Sequence, residues 1–93
     1  MVTLLIHHRV ADYDAWRPVY DRVTAGPMGR RVRSHRLWRG LDDPNLVVVI
    51  ETYDSREDAE WTMGHPDLPD ALAEGGVDMD SVRFDYLEEV GAG

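Results

Sequence analysis

Two strand-type runs lie back to back in this chain, at residues 32–39 and 46–53, and this most narrows what it can fold into. Only Gly40-Leu41-Asp42-Asp43-Pro44-Asn45, dense in turn residues, separates them, so they read as a hairpin. Residues 46–53 open with the run Leu46-Val47-Val48-Val49-Ile50, typical of a central strand. Residues 32–39 alternate, with Val32, Ser34, Arg36 and Trp38 on one face and Arg33, His35, Leu37 and Arg39 on the other.

Helical patterns flank this pair. Upstream, Trp16, Val19, Tyr20 and Val23 fall at i, i+3, i+4 and i+7, one apolar stripe. Asp12 or Asp14 can cap that helix. Pro18 favours Asp14, because proline is harmless only in the first turn; capping by Asp12 would leave a kink near Pro18. Gly26-Pro27-Met28-Gly29 ends the helix. Downstream, Ser55 with Asp58 resembles a capping box, and a helix is expected to about Met63. His65-Pro66 breaks it, and residues 67–74 form a second short helix with Pro69 in its first turn. Residues 2–10 and 81–89 read as the first and last strands, the latter with Val82, Phe84 and Tyr86 on one face.

The order strand, helix, strand, strand, helix, strand is the split βαβ, or ferredoxin-like, pattern. It predicts an α+β fold with a four-stranded antiparallel sheet and the helices on one face. At 93 residues the chain is expected to form a single domain, residues 1–93. Nothing is left over to cover the second sheet face, so a homodimer packed sheet to sheet is expected.

Composition removes several chemistries. All ten basic residues are arginine, which excludes a Schiff-base lysine, and the absence of cysteine excludes thiol nucleophiles and thiolate metal sites. The net charge of −8 argues against nucleic acid and anionic membranes as partners. No signal-peptide pattern and no membrane-length apolar run occurs, so a cytoplasmic protein is expected. There is no G-x-G-x-x-G, P-loop, G-x-S-x-G or HExxH motif, and neither cofactor nor metal is expected.

Three segments carry a resemblance: residues 8–16 (HRVADYDAW), 42–49 (DDPNLVVV) and 65–68 (HPDL). Together they resemble the small dimeric α/β-barrel proteins, and within them the relatives of antibiotic-biosynthesis monooxygenases, over about residues 2–89. The resemblance implies a pocket between sheet and helices in each subunit. That superfamily includes cofactor-free oxygenases of polyketide quinols, haem-degrading enzymes, isomerases and cyclases. The haem-degrading members use an asparagine near the end of the first strand, where this chain has His8; its only asparagine, Asn45, lies in a turn. The quinol oxygenases resemble the chain in having tryptophan, tyrosine and arginine in the pocket.

His7 and His8 must point to opposite sheet faces. His8 shares a face with Leu4, Ile6 and Val10 and is the candidate general base, against the alternative of a hydrogen-bonded structural histidine. His65 is a candidate second acid–base group at the pocket mouth, or simply a favourable partner for a helix C-terminus. Arg36 is the candidate anion stabiliser from an arginine-rich stretch, residues 30–39, whose alternative role is charge pairing. Trp38, Trp61, Tyr86 and Phe84 are candidates for holding a flat ring, sheet packing or a dimer contact being the alternatives, while Trp16 reads as core. The expected function is a cofactor-independent oxygenase, isomerase or cyclase acting on a small aromatic or polyketide-like molecule. The alternative is a non-catalytic homodimeric domain that binds a small molecule or a protein.

Overall fold

The computed structural model describes residues 1–93. Strand β1 covers Val2–Val10, β2 Ser34–Arg39, β3 Leu46–Tyr53 and β4 Val77–Leu87; helix α1 covers Tyr13–Ala25, α2 Arg56–Met63 and α3 Leu68–Glu74, with a 3₁₀ turn at Pro27–Gly29. The strands form one sheet in the order β2-β3-β1-β4, every neighbour antiparallel. This is the ferredoxin-like arrangement. No helix is long and apolar enough to cross a membrane.

The period of two decides which side chains form the core. On β1, Leu4, His8 and Val10 are buried beneath the helices, and on β3 so are Val47, Val49, Glu51 and Tyr53. Leu5, His7, Val48 and Ile50 occupy the opposite face, where Leu5 pairs with Ile50 and His7 with Val48. No element of the chain covers that face.

Helix α1 begins two residues earlier than Pro18 favours. Asp12 is the cap, its carboxylate accepting from the Asp14 N–H at 3.1 Å. Pro18 therefore lies inside the helix, which continues unbroken to Ala25. Tertiary packing offsets the lost hydrogen bond, because the stripe Trp16, Val19, Tyr20 and Val23 faces the sheet. Asn45 secures the start of α1 by accepting from the Tyr13 N–H at 2.9 Å.

Helix α2 starts as its sequence dictates, with Ser55 Oγ accepting from the Asp58 N–H at 3.2 Å. Ser55→Ala is expected to cost about 1 kcal/mol of stability. A urea unfolding midpoint unchanged from wild type would show that the cap contributes nothing.

Strand β4 begins four residues before the expected start. Gly76, at φ +72°, makes the turn that admits Val77, and its carbonyl accepts from the Ala11 N–H. Between His7 and Arg9 the register slips: two steps along β1 match five along β4. Ser81 Oγ fills the gap in the ladder by accepting from the Arg9 N–H at 2.8 Å.

Candidate functional site

Helices and sheet do not close fully upon each other. Between them lies a cavity of about 90 Å³. That is below the ~300–1,000 Å³ typical of drug-sized ligand sites. Its floor is Ile6, His8, Val49 and Glu51, and its roof is the α1 stripe. Met28 and Val32 close one flank, while Thr62, Met63 and Leu72 close another. Twelve of the seventeen lining residues are hydrophobic, so the space suits a largely apolar ligand. Val32, just ahead of β2, belongs to this flank rather than to the Arg36 face.

His8 is 3% exposed. Its Nδ1 lies 3.0 Å from the Val47 carbonyl, which can only accept, so Nδ1 carries the proton. Nε2 then holds a lone pair and makes no hydrogen bond within the chain, and His8 is among the residues that line the cavity. Trp16 meets the imidazole edge to face, with ring centroids 5.7 Å apart. Burial pushes the His8 pKa below the ordinary 6.5, and the Val47 bond offsets only part of that shift. The ring is therefore neutral at neutral pH.

This shift has a sign in stability. Below pH 6.5 the unfolded chain takes up the His8 proton before the folded one does. The His8 contribution is therefore fully present above pH 6.5 and is lost as pH falls through that value towards the lower folded pKa. The urea midpoint of wild type minus that of His8→Gln is expected to decline over this window. A difference independent of pH would remove the burial argument.

At the other end of the floor sits a group that sequence reasoning missed. Glu51 is 6% exposed in an apolar strand. Tyr20 donates its hydroxyl to Glu51 Oε2 at 2.6 Å, and Tyr53 donates to Oε1 at 2.8 Å. Burial first, and then the neighbouring carboxylate, push both phenol pKa values far up, so both hydroxyls remain donors. The available signal was parity: Glu51 alternates with Val47, Val49 and Tyr53 on the buried face.

Of the seven candidate site residues, His8 alone lines the cavity. Arg36 and Trp38 lie on the open face, opposite Ile50 and Val48, and Trp38 is 56% exposed. Arg36 therefore cannot reach a ligand in this cavity. Trp61 projects from α2 outside the cavity, with the Arg30 and Arg31 guanidinium carbons 4.7 and 4.3 Å from its ring centre. His65 contacts the edge of Trp61, and its Nδ1 accepts from the Asp67 N–H at 3.1 Å, tying the turn between α2 and α3. Phe84 and Tyr86 share the helix-side parity, opposite Ile6 and Leu4, but β4 is an edge strand that the helices leave largely uncovered. Tyr86 sits under Arg56 there, with the guanidinium carbon 4.8 Å from its ring centre. Much of the arginine-rich stretch is paired: Arg31 bridges Asp58, Arg33 bridges Asp54, and Arg39 lies over Tyr13.

With this geometry the chain can be set beside known structures. SnoaB, a cofactor-independent oxygenase from Streptomyces nogalater, superposes with a TM-score of 0.78 at 20% identity, covering 98% of this chain and 94% of that one. Rv0793 from Mycobacterium tuberculosis superposes with a TM-score of 0.72 at 21% identity, covering 98% and 96%. The crystal structure of an antibiotic biosynthesis monooxygenase gives 0.72 at 15% identity, covering 98% and 100%. The chain has the fold of the antibiotic biosynthesis monooxygenase-like proteins. At these identities the likeness is one of fold. No protein-family model and no curated protein matches the sequence.

Proposed function

We propose that this single domain is a cofactor-independent enzyme acting on a small aromatic or polyketide-like molecule held between sheet and helices. One observation carries the reading: a buried imidazole, its Nδ1 bonded to Val47 and its Nε2 unpartnered, lines an apolar cavity. The fold shared with a cofactor-independent oxygenase supports it. His8 Nε2 takes a proton from a carbon next to a carbonyl or phenol. The electron pair left on carbon passes to dioxygen in an oxygenation, and the methylene becomes a carbonyl with loss of water (CH₂ + O₂ → C=O + H₂O). Return of the proton at another carbon gives an isomerisation instead.

A second reading, a non-catalytic binding domain, also has an observation in its favour. No arginine lines the cavity, so no cation there balances a carbanion. One experiment separates the two. The protein is mixed in air with a panel of polycyclic phenols and their keto tautomers, with a chelator present. Oxygen uptake matched to a product that gains one oxygen and loses two hydrogens is expected. Binding without turnover selects the second reading, and neither binding nor turnover overturns both.

The homodimer belongs to this proposal. The uncovered sheet face supports it: there Leu5, Val48 and Ile50 are only half buried and Trp38 is exposed. Sedimentation at micromolar concentration is expected to give the dimer mass, and Ile50→Glu a folded monomer. A monomeric wild type would overturn the assembly.

A further inference from the structure

Glu51 is the one acidic side chain that lines the cavity. The other ionisable group on its floor, His8, is neutral. A carboxyl group thus stands in an apolar wall with no arginine among the lining residues. Buried carboxylates are ordinarily matched by a cation. Every ion pair in this chain lies elsewhere, and none includes Glu51. Its two partners, Tyr20 and Tyr53, are neutral hydroxyls. They satisfy one lone pair on each oxygen and leave the carboxyl group without a cationic partner.

Position adds to this. His8 is paired with Val47, and Glu51 with Leu4, so the two lie four residues apart along one face, or about 13 Å. Ile6 and Val49 fill the floor between them. The Tyr20 ring, next to Glu51, stacks on Trp16 with centroids 5.0 Å apart, and both rings line the roof. A ligand would thus meet a base at one end, an apolar middle under aromatic rings, and a carboxyl group without a cationic partner at the far end.

We infer that the cavity selects ligands bearing a protonated amine on an aromatic body, with Glu51 as the counter-charge and Tyr20 and Tyr53 holding its carboxylate in place. This rests on the cavity being the ligand site of the proposed function and adds the charge class of the ligand. A cation there gains a charge-assisted hydrogen bond in a low-dielectric setting and an aromatic neighbour. A carboxylate ligand meets like charge in the same setting and is rejected.

The test uses three probes of one shape: naphthalen-1-ylmethylamine, naphthalen-1-ylmethanol and naphthalene-1-carboxylate. Their dissociation constants are measured calorimetrically at physiological ionic strength on the wild type and on Glu51→Gln. In the wild type the amine is expected to bind about 10- to 100-fold tighter than the alcohol, with the carboxylate weakest. The alcohol is expected to displace the amine, which places both in the cavity rather than on the acidic surface. Glu51→Gln is expected to abolish the preference for the amine and to leave the alcohol within a few-fold of wild type. If that variant does not fold, the wild-type ratio of amine to carboxylate decides. Alcohol binding with no preference for the amine overturns this inference and leaves the cavity reading standing. A preference that survives Glu51→Gln overturns it too. Failure of all three probes to bind overturns both.

Discussion

Replacing Trp16 by alanine is expected to remove about 3–5 kcal/mol of folding stability. Trp16 is 4% exposed and sits where α1 meets the sheet, in one cluster with Val10, Val47 and Val49. Tyr20 stacks on it, Tyr13 lies 6.0 Å away, and His8 meets it edge to face. The end of α3 closes the remaining side: a methyl group on Gly75 would come within 3.0 Å of Trp16 Cδ1. A side chain held on so many sides leaves a void that the backbone cannot easily fill. In a domain this size each kcal/mol lowers the melting temperature by about 4–8 °C. Urea unfolding at 25 °C should read the loss directly. A cost below about 1.5 kcal/mol would mean that the cavity beside Trp16 collapses to accommodate the change. The tryptophan would then be a ligand wall more than a keystone of the core.

The second large effect concerns turnover. Once a substrate is found, His8→Ala is expected to lower kcat about 10²- to 10⁴-fold, the usual contribution of a positioned general base. KM should change little, because the imidazole is one of seventeen lining groups. The pH profile supplies the independent readout. Burial holds the His8 pKa below 6.5, so the wild-type rate should be level above that value and fall as pH drops below it. The inflection should vanish in the variant. Unchanged turnover in a folded His8→Ala protein would take His8 out of the mechanism and leave it as a core histidine bonded to Val47.

The order of elements was legible because each pattern change in the sequence is sharp. Val47, Val49 and their neighbours cannot be mistaken for a helix, and Gly75-Gly76 and His65-Pro66 punctuate cleanly. His8 was placed on the correct face because its parity is shared with Leu4 and Val10, which can only be core. Arg36 and Trp38 were grouped correctly with each other, yet their strand carries polar residues on both faces, so parity alone could not say which face met the helices. Phe84 and Tyr86 have the helix-side parity, but no local signal tells that β4 is an edge which three short helices leave uncovered. The start of β4 was hidden because Asp78 and Asp80 look like loop residues and the register slip is a property of the pairing. The sequence leaves Asp12 second to Asp14 as the cap because the penalty of Pro18 is weighed there without the packing of α1 on the sheet. Glu51 was overlooked because its partners, Tyr20 and Tyr53, come together only when α1 lies over β3.

The three indoles of this chain lie in three separate surroundings. Trp16 borders the cavity, Trp38 stands on the uncovered face of the sheet, and Trp61 is flanked by two guanidinium groups. Intrinsic fluorescence therefore carries three distinct signals. Ligand entry would alter the emission of Trp16, association of two sheets would shift that of Trp38 to the blue, and movement at the end of α2 would change that of Trp61. With two of the three replaced by phenylalanine in turn, binding, assembly and local motion can each be followed in solution without an added dye.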